Sequence, residues 1–69
     1  MSKALSERLV QQVKMQLDER PMSLRELARR IRVEEKRVYR VLSLLHRSSQ
    51  IVHFRDVDSV RRYRLNEES

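Results

Sequence analysis

The sequence of 69 residues has no cysteine and no tryptophan, and it has only two histidines. Without cysteine there are no disulfides, thiolate metal sites or cysteine nucleophiles, so packing or oligomerisation must stabilise so short a chain. The histidines, His46 and His53, lack partner ligands at metal-binding spacing, and we expect no metal and no cofactor. No run approaches the roughly 20 apolar residues of a membrane span, and the first residues lack the apolar stretch of a signal peptide.

Glycine is also absent, which excludes the glycine-rich loops that cradle phosphates in nucleotide-dependent enzymes. Neither Ser23 nor Ser43 is accompanied by a base and an orienting acid in a recognisable arrangement. We therefore expect neither enzymatic activity nor a small-molecule substrate. The length fits a single domain, residues 1–69, which we expect in the cytoplasm, associated with the nucleoid, or in a nucleus.

Positive charge is abundant and concentrated in the middle of the chain. Sixteen Lys and Arg residues face ten acidic ones, for a net charge of +6. Residues 21–48 hold eight of the basic residues and three of the acidic ones, which leaves five of the six excess charges there. Such an excess favours a polyanionic partner, either nucleic acid or an acidic membrane surface. Most of these residues are arginines, whose planar fork suits phosphates and guanine edges.

Two amphipathic helices are predicted before residue 32. Leucine or valine recurs at every fourth position of the first, at Leu5, Leu9, Val13 and Leu17. This spacing predicts helix 1 over about residues 3–19, and Pro21 disfavours its continuation. Ser23 and Glu26 have the spacing of a capping box, in which each side chain satisfies a backbone donor of the other residue. They predict that helix 2 runs over about residues 23–31.

A third helix is predicted over about residues 34–48, with an acidic pair at its start that suits a helix N-terminus. Its apolar stripe consists of Val38, Val41, Leu42 and Leu45. At about 100° per residue, the positions opposite this stripe are Lys36, Arg40, Ser43 and Arg47. Tyr39 lies at one edge of that polar face and Arg37 on the other flank. The helix therefore has one face for the core and a basic face for a partner.

The last third changes from helical to alternating periodicity. Residues 51–55 and 60–65 are rich in strand-forming residues, and the residues between them are typical of a turn that Asp56 and Asp58 support through their side chains. The alternation puts Tyr63 on the inner face and leaves Arg62 and Arg64 outside. The fold class is therefore mainly α, a three-helix core followed by a two-stranded β-hairpin.

Residues 27–42 resemble the helix-turn-helix family, whose pattern is Leu-Ala, three residues, Gly, an aliphatic residue, Ser or Thr, and aliphatic residues four and eight positions later. This chain reads LARRIRVEEKRVYRVL and aligns without gaps. Ala28 matches the position where the family's helices approach closely, and Val33 matches the residue that fills the turn. Arg32 replaces the usual Gly, so we expect it to carry a positive φ, and Glu34 replaces the usual Ser or Thr cap.

The order of elements implies a winged helix-turn-helix, in which the hairpin, residues 51–65, is the wing. The resemblance implies a sequence-specific regulator that binds double-stranded DNA with helix 3 in the major groove. A homodimer is the expected assembly, because one helix reads too few bases to be selective. The groove residues implied by the resemblance are Lys36, Tyr39, Arg40, Ser43 and Arg47, and Arg37 on the flank is also expected to contact DNA. Its implied phosphate contacts are Ser23, Arg25, Arg55, Arg62 and Arg64. Arg40 is the residue expected to read a base, through a fork to guanine.

Three alternatives stay open at this point. Carboxylates at the start of helix 3 and in the wing favour a winged helix that binds a protein instead of DNA. A nonspecific chromosome-binding protein would use the same basic face without base contacts. The third helix is also similar to that of the Z-DNA-binding winged helices. However, Tyr39 stands where that branch has Asn, Ser43 stands where it has Tyr, and the wing lacks that branch's prolines and Trp.

Overall fold

Three helices precede a two-stranded antiparallel sheet, as predicted. The computed structural model describes residues 7–67, so the expected start of helix 1 near residue 3, including Leu5, lies outside the described residues. The elements are α1 (Glu7–Glu19), α2 (Leu24–Ile31), α3 (Glu35–Arg47), β1 (Ile51–Arg55) and β2 (Arg61–Leu65).

The helices and the hairpin enclose a hydrophobic core to which the predicted helical stripes contribute most residues. Its buried members are Leu9, Val13, Leu17, Met22, Leu27, Ala28, Val38, Val41, Leu42, Leu45, Ile51 and Tyr63. Full burial of a Leu or Val side chain contributes roughly 1.5–3 kcal/mol. Every helix therefore has one face fixed by packing, which determines the face that it presents to solvent.

The start of α2 and the turn after it form as the sequence predicts. Ser23 Oγ accepts a hydrogen bond from Glu26 N, and Glu26 Oε1 accepts one from Ser23 N, both at 3.1 Å, so the capping box is confirmed. Arg32 has φ 66° and ψ 46°, the predicted left-handed conformation. The amide groups of Arg32 and Val33 both donate to Ala28 O, which closes the end of α2 and directs the chain into α3.

The wing is an antiparallel hairpin whose turn depends on two aspartates. Asp56 Oδ1 accepts from Val57 N at 2.7 Å, and Asp58 Oδ1 accepts from Val60 N at 3.1 Å, which confirms their predicted role. Ser59 has φ 66°, so the turn uses a left-handed residue although the chain has no glycine.

The strand register decides which side chains share a face of the wing. His53 is paired with Tyr63 and Phe54 with Arg62, so each pair lies on one face of the hairpin. The face of Tyr63 also carries Arg61, because residues two apart in a strand point the same way.

Met22 joins the sheet, which the sequence analysis missed. Its N–H donates to Tyr63 O at 3.1 Å and its carbonyl accepts from Tyr63 N at 2.8 Å, so it pairs with β2 on the side away from β1. The Met22 side chain is fully buried. The segment between α1 and α2 is thereby tied to the wing.

Candidate nucleic-acid interface

The two faces of α3 differ sharply in burial. The apolar stripe of Val38, Val41, Leu42 and Leu45 is 0–1% exposed. On the opposite side Lys36, Arg40 and Arg47 are exposed and Ser43 is partly exposed. Because the core fixes the rotation of α3, this basic ridge is held towards solvent.

The cations of α3 are not neutralised by the part of the chain that the structure describes. Among residues 7–67 we find no ion pair and no side-chain hydrogen bond for Lys36, Arg37, Arg40 or Arg47. By contrast, carboxylates lie at N–O distances of 3.0–3.8 Å from Arg20, Arg25, Arg30 and Arg62. The charge of the α3 ridge is therefore available to a partner.

The first turn of α3 contains the two carboxylates that argued against a DNA surface. Glu34 is the N-cap residue, but its side chain makes no capping hydrogen bond. Glu35 lies 3.8 Å from Arg25 Nε, and both side chains are more than half exposed. Exposed pairs of this kind contribute little to stability, so Arg25 can exchange Glu35 for another anion at low cost.

Ser23 has a structural role at the predicted phosphate position. Its residue is only 9% exposed, its hydroxyl oxygen accepts from Glu26 N, and its own N–H donates to Glu26. The Ser23 N–H and a lone pair of its hydroxyl oxygen are therefore engaged in the capping box, and its burial leaves little of the residue accessible to a phosphate.

Arg62 does not lie free on the outside of the wing, as the alternation had suggested. Its side chain is 22% exposed, and Nη1 lies 3.0 Å from Asp56 Oδ2 and 3.0 Å from Asp58 Oδ1. Nε lies 3.7 Å from Glu26 Oε1. The alternation of residues in β2 predicted correctly which face of the strand Arg62 lies on. The carboxylates that cover its side chain come from the turn and from α2. Arg62 therefore links elements of the fold.

These contacts shift the ionisation of the groups involved. The hydrogen bonds that Arg62 donates to Asp58 lower the pKa of that carboxyl and raise the pKa of the guanidinium. The pKa of Glu26 is lowered, mainly by the hydrogen bond from Ser23 N and further by Arg20 and Arg62. The charged forms of all three groups are thus the ones that the fold stabilises.

The remaining wing arginines are available for contacts. Arg55 and Arg64 are exposed, and within residues 7–67 each donates only to a backbone carbonyl, that of Ser59 at 3.3 Å and that of Leu65 at 3.4 Å. Arg61 is exposed and has no ion pair within residues 7–67, and the sequence analysis missed it. The sequence could have indicated Arg61 by its position. It lies two residues before Tyr63, and therefore on the inner face of β2, but past the end of the core.

A cleft of about 210 Å³ separates α3 from the wing. Its walls are Tyr39, Leu42, Ser43 and His46 from α3, and His53, Arg61 and Tyr63 from the wing. The ring centroids of His46 and His53 are 5.0 Å apart. Two predicted groove residues, Tyr39 and Ser43, thus lie on the side of α3 that faces the wing, while Arg37 is on the opposite flank.

Two solved structures are similar to the chain. A variant of ZitR from Lactococcus lactis superimposes with a TM-score of 0.82 and 20% identity over 91% of this chain and 44% of its own. The adhesin competence repressor AdcR from Streptococcus pyogenes superimposes with a TM-score of 0.78 and 15% identity over 91% of this chain and 48% of its own. The chain has a winged-helix fold. It spans less than half the length of either similar chain.

No protein-family model matches the chain, and no curated protein sequence matches it. Within residues 7–67 the winged helix contains no helix that is both long and apolar enough to cross a membrane. The same residues include no group of three His, Cys, Asp or Glu side chains placed to hold a metal ion.

Proposed function

We propose that this winged helix binds double-stranded DNA in a sequence-specific manner, as part of a transcriptional regulator, with α3 in the major groove. The observation that carries the proposal is the ridge of Lys36, Arg40 and Arg47, three exposed cations without carboxylate partners in the described chain, on a helix whose other face is fully buried. A fixed, unneutralised cationic ridge is the electrostatic footprint of a nucleic-acid-binding surface.

The dimensions of α3 fit the proposed groove. Its 13 residues span about 20 Å, and an α-helix with side chains is about 10–12 Å across, close to the roughly 12 Å width of the major groove. Arg40 lies on the central part of the ridge, where its fork can reach guanine O6 and N7. Lys36 and Arg47, at the ends of the ridge, contact the groove walls or neighbouring phosphates. Arg37, Tyr39 and Ser43 complete the groove surface on the two flanks.

The phosphate contacts are assigned to the arginines that the fold leaves accessible. Arg25, Arg55 and Arg64 are exposed, and within residues 7–67 each holds one weak contact. Ser23 and Arg62 are reassigned to the capping box and to the carboxylate cluster, respectively. Phosphate contacts of this kind position the domain and set affinity, whereas base contacts by α3 set sequence preference.

The regulator acts as a homodimer in this proposal, because a single recognition helix reads too few base pairs to be selective. Support for a regulatory role comes from AdcR, which is named a repressor and has a similar fold. A palindromic target, with half-sites about one helical turn apart, would match the symmetry of such a dimer.

The test is selection of bound sites from a random duplex pool, followed by titration of the selected duplex. Binding should weaken as salt rises, because each neutralised phosphate releases condensed counterions. Arg40→Ala should remove discrimination worth about 1–3 kcal/mol at one base pair of the selected site. Arg29→Ala is the matched control, since Arg29 is an exposed, unpaired arginine of α2 away from the ridge.

Other results would point elsewhere. Equal binding to selected and random duplexes would indicate nonspecific chromosome binding. Absence of any duplex complex at low salt, together with one stoichiometric protein partner, would contradict DNA binding and indicate a protein-interaction module. An alternating C-G duplex whose circular dichroism stays unchanged on adding the protein would exclude Z-DNA recognition.

A further inference from the structure

The cleft between α3 and the wing has the chemistry of an anion site. Its seven lining residues carry two imidazoles, one guanidinium and three hydroxyl groups, and none of them is Asp or Glu. Within residues 7–67 the side chains of His46, His53 and Arg61 have no hydrogen bond and no ion pair. The rings of His46 and His53 contact each other, and the ring of His53 also contacts that of Tyr63. The three donor side chains of the cleft, His46, His53 and Arg61, are therefore unsatisfied by the described residues.

The helical spacing along α3 and the strand pairing of the wing bring these side chains together. Tyr39, Ser43 and His46 lie four and three residues apart, which places them along one side of α3. His53 and Tyr63 are paired across the hairpin, and Arg61 shares their face of β2. That face of the wing is turned towards α3, so the two rows form opposite walls of one cleft.

The nearby carboxylates are directed away from the cleft. Asp56 and Asp58 form ion pairs with Arg62, which points to the opposite face of β2 from Arg61. Arg61 is consequently left without a counterion in the described chain, although two aspartates lie in the same hairpin. Arg62 thus keeps negative charge out of the cleft.

We propose that this cleft binds a phosphate ester, and, resting on the proposed function, that the ester is a phosphodiester of the duplex strand between α3 and the wing. Arg61, His46 and His53 donate to the phosphate oxygens, with Ser43 and Tyr39 as neighbouring hydroxyl donors. The volume of about 210 Å³ is several times the roughly 30 Å³ share of a water molecule, and Leu42 and Tyr63 supply apolar surface. A phosphate with its attached sugar fits this combination better than a bare ion.

The experiment follows the imidazole resonances of His46 and His53 by NMR at fixed pH during two titrations, one with thymidine 5′-monophosphate and one with the selected duplex. The mononucleotide tests the cleft without requiring DNA binding. The duplex tests whether the DNA backbone is the natural source. Backbone amides of α3 report duplex binding at the ridge independently.

The expected result is that both ligands shift both imidazoles, and that the duplex shifts them with the same saturation as the α3 amides. If the mononucleotide shifts the imidazole resonances and a duplex that binds α3 does not, the phosphate-ester site stands. The proposal that the DNA backbone supplies the phosphate is then wrong. If the duplex shifts the α3 amides but neither ligand shifts the imidazole resonances, the proposed phosphate site is wrong and the proposed function stands. A mononucleotide response without any duplex binding would retain the site and contradict the proposed function.

Substitutions in the cleft test the roles assigned to Arg61 and to the two histidines. Arg61→Gln should abolish the mononucleotide shifts and reduce the slope of log affinity against log salt for the duplex by about 1, with the selected sequence preference unchanged. His46→Gln combined with His53→Gln should also weaken mononucleotide binding, and both positions are exposed, so the fold tolerates the change. Arg29→Gln removes the same charge outside the cleft and should preserve the mononucleotide shifts. Equal effects of Arg61→Gln and Arg29→Gln would overturn the assignment of Arg61.

Discussion

Arg62 Nε lies 3.7 Å from Glu26 Oε1, so a side chain of the wing is attached to the first turn of α2. The same guanidinium contacts Asp56 and Asp58 of the wing turn. One arginine therefore connects the tip of the hairpin to α2, the helix that precedes α3. This cluster positions the wing relative to the basic ridge of α3.

Loss of this cluster is expected to loosen the wing turn. In Arg62→Gln the three carboxylates lose their shared counterion, and the Asp56 and Asp58 side chains hold the turn amides of Val57 and Val60 less firmly. Amide hydrogen exchange at Val57 and Val60 should accelerate, and duplex affinity should fall because free carboxylates then face the phosphates. Arg64→Gln is the control for the exchange measurement alone, since it removes the same charge from the same face of β2 and Arg64 has no carboxylate partner within residues 7–67. Because Arg64 is a proposed phosphate contact, this variant should itself lower duplex affinity. If both variants protect the turn amides equally, Arg62 does not organise the wing.

Acid is expected to destabilise the domain through Glu26 and Asp58. The fold lowers the pKa of both carboxyls from their ordinary values of 4.5 and 3.8, so the unfolded chain binds more protons in this range. Their contribution to stability is complete above pH 4.5 and is lost as the pH falls through the lowered pKa values. Urea unfolding between pH 2 and pH 7 measures the loss. Glu26→Gln, which keeps an oxygen for the capping box, should flatten the acid limb, and an unchanged limb would contradict the role of Glu26.

The turn between α2 and α3 stores strain that a glycine would relieve. Arg32 has φ 66°, and a residue with a Cβ pays roughly 1–2 kcal/mol in the left-handed region. Arg32→Gly should raise the free energy of unfolding by about 0.5–1 kcal/mol, since the greater freedom of glycine in the unfolded chain offsets part of the gain. Thermal or urea unfolding provides the measurement. Arg32→Ala keeps the Cβ and removes the charge, so an equal gain in that variant would attribute the effect to charge repulsion.

The N-terminus of α3 lacks a side-chain cap, and supplying one should stabilise it. Glu34 occupies the N-cap position with an extended backbone and no capping hydrogen bond. Glu34→Ser should add about 0.5–1 kcal/mol to the free energy of unfolding, because the hydroxyl can accept from a first-turn N–H. Glu34→Gln tests the removal of charge alone. A gain shared by both variants, measured by urea unfolding, would show that electrostatics and not capping is responsible.

Features that depend on local spacing were predictable from the sequence. The apolar repeats gave the three helices, Ser23 and Glu26 gave the start of α2, and Asp56 and Asp58 gave the wing turn. The replacement of glycine by Arg32 gave the left-handed turn. In each case the interacting groups lie within a few residues of one another, so that the pattern contains the geometry.

Features that join distant segments were not predictable in the same way. The carboxylate of Glu26 reaches Arg62 only because α2 packs beside the wing, and the alternation of β2 could not reveal that partner. The pairing of Met22 with Tyr63 likewise requires the tertiary fold. The cleft depends on the register of the hairpin and on its angle to α3, neither of which any short pattern specifies.

The main-chain pairing of Met22 with Tyr63 means that the hairpin cannot swing out as an independent flap. Detaching it breaks two backbone hydrogen bonds and draws a fully buried methionine from the interior, which also undoes the link between the first two helices. These parts consequently open as one cooperative unit, and the Met22 and Tyr63 amides exchange only in its larger, rarer fluctuations. A hairpin held in this way loses little conformational entropy when it binds a partner, because folding has already fixed its position.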